Sequence, residues 1–136
     1  MNIAIIGATG NVGRKLLGVL EKKQFPIDEL FLIASSKSVG KKINFKGKEH
    51  SIRDLKSFDF SSVKIAFFSA GSVIAEKWVP IAAQKTIVID NSKFFRMDPN
   101  VPLIVPEVNP QDLKNYKKKN IIANANCSVI PLVVAL

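Results

Sequence analysis

One cysteine, Cys127, stands in Asn124-Ala125-Asn126-Cys127-Ser128, where a short apolar run gives way to a longer one. A thiol at the start of a helix is a nucleophile in waiting. The helix dipole and the free N–H groups favour its thiolate. Ser128 and the amides after it are expected to stabilise an oxyanion. Asn124 and Asn126 argue against the purely apolar slot in which a cysteine is inert. At the opposite end lies Gly7-Ala8-Thr9-Gly10-Asn11-Val12-Gly13. Gly7 permits a tight turn off a strand, Gly10 lets the backbone approach a pyrophosphate, and Gly13 lets a helix pack closely on a sheet. The helix start then offers N–H groups to the anion. The spacing G-x-x-G-x-x-G is looser than the standard dinucleotide fingerprint, and its place between a strand and an amphipathic helix gives it meaning.

The end of the second strand predicts which nucleotide binds. An NAD site carries an acid there to accept from the ribose 2′-hydroxyl. This chain instead reads Ala34-Ser35-Ser36-Lys37-Ser38. Hydroxyls and an ammonium suit a 2′-phosphate, so NADP is expected over NAD. The only histidine, His50, falls among Lys48, Glu49 and Ser51 and is expected to be a solvated surface residue rather than a base for Cys127.

These groups need a frame, and the apolar pattern supplies one. Short buried strands are predicted over 2–6, 31–34, 64–68, 86–89 and 121–123. Helices are predicted over 11–23, 72–84, 111–116 and 128–136, with Pro80 bending or shortening the second. Residues 43–45 and 51–52 flank Lys46-Gly47-Lys48 as a small hairpin, and 101–108 reads as an extended loop with a short strand. Alternation of this kind predicts an α/β fold with a doubly wound, mostly parallel, Rossmann-like sheet in one domain. A length of 136 residues with 47% hydrophobic residues supports one sizeable core. No apolar stretch approaches the ~20 residues that span a bilayer, no signal peptide is expected because the first strand opens at Asn2, and a lone cysteine fits a reducing compartment. The net charge is +9, from 17 Lys and 3 Arg against 11 acids. Arg is scarce and no aromatics interleave with the Lys clusters, so the charge reads as a solvated surface, with no nucleic-acid or membrane partner and no metal expected.

Taken in order, several motifs resemble aspartate-semialdehyde dehydrogenases. They are the stretch from Met1 to Gly13, Phe68-Ser69-Ala70-Gly71-Ser72, Ile89-Asp90-Asn91-Ser92, Phe95-Arg96-Met97-Asp98, Val105-Pro106-Glu107-Val108-Asn109 and Asn126-Cys127-Ser128. The resemblance implies a cytoplasmic, NADP-dependent enzyme that reductively dephosphorylates aspartyl phosphate to aspartate semialdehyde, releasing phosphate. That step feeds lysine, diaminopimelate, threonine and methionine synthesis. It also implies roles. Thr9, Gly10, Asn11 and Val12, with Gly7 and Gly71, match the cofactor loops. Lys37 and Ser38, with Ser35 and Ser36, match the 2′-phosphate contacts. Arg96 matches the arginine that holds the substrate's phosphate, Asn126 lies beside that pocket, and Cys127 matches the catalytic nucleophile.

The chain departs from that family where Ala125 replaces a usual proline, and where Val129 and Pro131 replace Thr and Gln. The family's catalytic histidine, substrate-carboxylate arginine and dimerisation domain have no counterpart in residues 1–136. The expectation is therefore an NADP-binding domain ending just after the nucleophile, inactive alone, from a family that works as a homodimer. Two alternatives stay open: an N-acetyl-gamma-glutamyl-phosphate reductase, and a non-catalytic nucleotide-binding remnant.

Overall fold

A computed structural model describes all residues from Met1 to Leu136. The run Ile3–Ile6 forms β1, buried along its whole length, and Asn11–Lys22 forms α1. Leu30–Ala34 is β2, Lys42–Phe45 β3, Lys48–Asp54 β4 and Ile65–Phe68 β5. Ser72–Ala83 is α2, Ile87–Asp90 β6, Leu103–Ile104 β7, Ile121–Asn124 β8 and Val129–Ala135 α3. The eight strands make one sheet in the order β3-β4-β2-β1-β5-β6-β8-β7. Every neighbouring pair is parallel except β3 with β4. This is a doubly wound, Rossmann-like architecture.

The two faces of β1 explain the winding. Ile3 and Ile5 join Leu17 and Leu20 of α1 in one buried cluster, whereas Ala4 and Ile6 join Ala75, Val79, Ala82 and Ala83 of α2 in the other. The helices therefore lie on opposite faces. Each large apolar side chain so buried contributes about 1.5–3 kcal/mol relative to exposure. Because β1 has β2 on one side and β5 on the other, the chain reverses direction across the sheet at β1. A crevice opens there at the carboxyl ends of the strands. On the α1 face the cover is incomplete. Ile65, Ile87, Ile89 and Ile122 line a groove of about 440 Å³, together with Leu113 and Tyr116.

Beyond the strand ends the parallel ladder continues into the loops. Gly7 donates its N–H to the Ile33 carbonyl at 2.8 Å, Ser69 donates to Ile6 at 2.9 Å, and Asn91 donates to Phe68 at 2.9 Å. Each loop is thus tied to the last turn of a neighbouring strand.

The expected hairpin forms from β3 and β4, while two helical expectations change. The hairpin also joins the main sheet: β4 pairs in parallel with β2, Leu32 with Ile52 and Ala34 with Asp54, because Ile52 completes the cluster around Leu32. Its two-residue loop, Lys46 and Gly47, has positive φ at both positions (50° and 75°), which suits the twist of a tight hairpin. Pro80 does not shorten α2, which runs three residues past it. Pro80 and Glu76, whose carbonyl loses its partner, are both exposed, so the proline leaves no buried polar group unpaired. Residues Pro110–Lys118 coil as a 3-10 helix rather than an α-helix, with Pro110 in its first turn. No helix is long and apolar enough to cross a membrane.

Candidate active site

The glycine loop is fixed by contact as much as by torsion. Gly7 has φ of 87°, and a Cβ there would sit 2.4 Å from the Ser69 carbonyl oxygen, so side chains are excluded twice over. Gly13 would place a Cβ 2.4 Å from the Gly7 carbonyl oxygen and 2.8 Å from Ala8 Cα. Its bareness lets the first turn of α1 close onto the loop itself, rather than onto the sheet as expected from sequence. Gly10 is the N-cap, and no side chain caps α1 and no acid enters its first turn. The N–H groups of Asn11, Val12 and Gly13, the first three of the helix, have no intrahelical partner. Thr9 is half-buried, while Asn11 and Val12 are exposed at the helix start. A cleft of about 340 Å³ lies in front, lined by Gly7, Thr9, Gly10, Ala34, Ser35 and Ser69. A helix start free of side-chain caps and acids beside a glycine-lined cleft fits a pyrophosphate. Gly71, with φ of 85°, closes the neighbouring loop as the N-cap of α2.

Ser36–Ser38 form a single 3-10 turn at the end of β2, with Ser35, Ser36 and Lys37 exposed and Ser38 partly so. Linear order hid one neighbour. Asp54, the last residue of β4, stands beside Ala34 in register and accepts a hydrogen bond from Ser36 Oγ at 2.8 Å. Nothing in the sequence near Ser36 signals an acid arriving from a strand that ends 18 residues later.

The ends of β6 and β8 build a second cluster. Arg96 donates from Nε to the Asn124 carbonyl at 2.9 Å and from Nη2 to the Asn91 carbonyl at 3.1 Å. Its guanidinium is thereby held between two strand ends, and it forms no salt bridge. Asn124 Nδ2 donates to Asn91 Oδ1 at 2.8 Å, joining the same two loops. Beneath them Asp90 is fully buried and accepts from the Ser92 backbone N–H and from Ser92 Oγ at 2.6 Å. Burial pushes the Asp90 carboxyl above its ordinary value, against the pull of the Ser92 hydrogen bonds and the charge of Arg96. The motif Ile89-Asp90-Asn91-Ser92 includes Asp90 without giving it a role, although an acid ending a buried strand two residues before a serine is the signature of such a turn.

Cys127 is exposed, three residues past the end of β8 and just ahead of α3. The amides after it are not free for an oxyanion, contrary to expectation. Ser128 N–H is taken by Asn126 Oδ1 at 2.8 Å, and the N–H groups of Val129 and Ile130 are taken by the Asn126 carbonyl. Asn126 therefore shapes the turn that carries Cys127. His50 lies on β4, its ring edge-on to Phe45 at 6.1 Å. Five strand spacings separate β4 from β8, roughly 24 Å, so His50 does not reach Cys127.

Comparison with known proteins gives three likenesses and a family. Residues 2–116 match the family described as "Semialdehyde dehydrogenase, NAD binding domain". The chain is 56% identical over 136 residues to an aspartate-semialdehyde dehydrogenase of Aquifex aeolicus, covering 98% of this chain and 40% of that protein. It superposes with a TM-score of 0.97 and 51% identity on an aspartate semialdehyde dehydrogenase II from Vibrio cholerae complexed with ASA, covering 99% of this chain and 44% of the other. An aspartate semialdehyde dehydrogenase with NADP from Candida albicans shares the fold with a TM-score of 0.74 and 27% identity, covering 97% and 45% of the two chains. The chain thus spans about two-fifths of the length of the relatives it matches.

Proposed function

Since the chain belongs to the semialdehyde dehydrogenase family through its NAD-binding domain, we propose that it is the NADP-binding and nucleophile-bearing part of an aspartate-semialdehyde dehydrogenase. The observation that carries this reading is Arg96, held by two backbone carbonyls in the loop cluster that leads to Cys127. A guanidinium anchored through Nε and one Nη2 hydrogen keeps its remaining N–H donors for an oxyanion such as a phosphate.

Cys127 Sγ, as thiolate, attacks the acyl carbon of aspartyl phosphate. The carbon–oxygen bond to phosphate breaks, the leaving phosphate is received by Arg96, and a thioester remains on Sγ. Bound at the glycine loop, NADPH supplies the hydride that turns the thioester into a thiohemiacetal. Departure of Sγ then releases the semialdehyde. Gly7, Thr9, Gly10, Asn11 and Val12 take the pyrophosphate, and Gly71 borders it. Ser35, Lys37 and Ser38 take the 2′-phosphate, with Ser36 beside them. Asn126 holds the turn beneath the thiol. The ASA in the Vibrio cholerae structure and the NADP in the Candida albicans structure, both in relatives of this fold, support these choices. The working unit on this reading is a homodimer of a chain as long as those relatives.

Phosphate-dependent reduction of NADP by aspartate semialdehyde tests the proposal. A chain extended to the relatives' length is expected to turn over, and Cys127→Ala to abolish turnover. Retained activity in Cys127→Ala would overturn the nucleophile. The 136-residue polypeptide is expected to be inactive, because His50 is out of reach and acid–base help is worth ~10²–10⁴ in rate. Turnover by that polypeptide would overturn this second expectation.

A further inference from the structure

The end of β4 carries a group that the nucleotide reading does not use. Asp54 lies beside Ala34, the last residue of β2, the strand whose end holds the ribose-binding acid of NAD sites. Here the acid arrives one strand over. Its Oδ1 accepts from the Lys56 N–H at 3.0 Å and its Oδ2 from Ser36 Oγ at 2.8 Å. The Lys56 N–H, the Ser36 hydroxyl and the charge of Lys56 hold the carboxyl below its ordinary value, so it is ionised at neutral pH. Leu55, the next residue, lines the cleft at the glycine loop.

The hydrogen bond fixes what Ser36 can do. A hydroxyl has one proton to give, and this one is committed to Asp54. Ser36 Oγ therefore has only lone pairs left for a ligand. Lone pairs receive a ribose 2′-hydroxyl, which donates, and repel a 2′-phosphate, which needs donors. The charge on Asp54 works in the same direction. Lys37, on the same turn, works against it. We infer that Asp54, acting through Ser36, is a specificity-determining residue that lets the site accept NAD alongside NADP, opposing the selectivity that Lys37 supplies. The inference rests on the nucleotide-binding reading above.

Calorimetric titration of the chain with NADP and with NAD, at one fixed ionic strength, separates the possibilities. Asp54→Asn keeps an acceptor for Lys56 N–H and removes the charge. It is expected to tighten NADP about 3–10-fold while leaving NAD unchanged or weaker, the size set by one charge several ångströms from a phosphate. Ser36→Ala is expected to weaken NAD more than NADP, and reads the same couple should Asp54→Asn fail to fold. An NADP-to-NAD ratio unmoved by either folded variant would overturn the inference and leave Asp54 as the cap of a turn. A wild-type chain that binds NADP and not NAD would overturn it as well. A folded wild-type chain that binds neither would overturn the nucleotide-binding reading itself.

Discussion

Arg96 is oriented before any anion arrives, because strand-end carbonyls rather than a carboxylate hold it. A lysine there keeps the charge but cannot donate to Asn124, donate to Asn91 and still present a planar fork. In an enzyme of full family length, Arg96→Lys is expected to cost about 10²-fold in kcat/KM, the usual effect of misplacing a contact by an ångström. Steady-state kinetics with phosphate varied would show it as a raised KM for phosphate, and near-normal kinetics would return Arg96 to a structural role. Charge reversal at Lys37 tests the other end of the site. Lys37→Glu is expected to weaken NADP by tenfold or more while sparing NAD, as a titration of both nucleotides would read. At this scale the positions of Cys127 just ahead of a helix and of Lys37 just past β2 were legible, since the adjoining apolar runs sufficed. Asp54 was not, because register brings it to Ala34 and no local pattern records register. The occupied amides of Ser128, Val129 and Ile130 were likewise invisible, because they depend on how Asn126 folds back.

Helix α1 contains two glycines with opposite expectations. Gly13 has no room, its Cβ meeting backbone atoms at 2.4 Å and 2.8 Å, while around Gly18 nothing lies within 4 Å. Gly13→Ala is expected to destabilise the chain by about 1–3 kcal/mol through forced backbone movement. Gly18→Ala is expected to stabilise it by about 0.4–1 kcal/mol, by relieving the helix of its most flexible residue. Urea melts of the two variants would show midpoints displaced to opposite sides of the parent. Equal shifts would mean that α1 is not seated on the loop as described. Most elements were legible from apolar periodicity, β1 and α1 to within a residue. What periodicity missed was contextual. A hairpin pattern looks the same whether its second strand is free or joins the main sheet, as β4 does with β2. A nine-residue polar segment opened by Pro110 gives the same apolar spacing in a 3-10 or an α-helix.

For the molecule as a whole, strand–helix alternation announced the doubly wound sheet but not its strand order, since alternation counts crossovers without saying to which edge each returns. That order has a consequence for how the site comes into being. The N–H of Gly7 closes on β2, that of Ser69 on β1, and that of Asn91 on β5. Each functional loop is latched by a strand other than the one it leaves. None of them can assume its working shape while its neighbouring strand is undocked, however well its own residues are chosen. The amide protons of Gly7, Ser69 and Asn91 should therefore exchange with solvent together, at the slow rate of the central strands and not at the fast rate normal for loops. Native-state hydrogen exchange would resolve this, and fast exchange at Ser69 with slow exchange at Ile6 would contradict it. The glycine loop and the Arg96 cluster then form a single cooperative unit, and assembling the sheet and assembling the candidate site are one event.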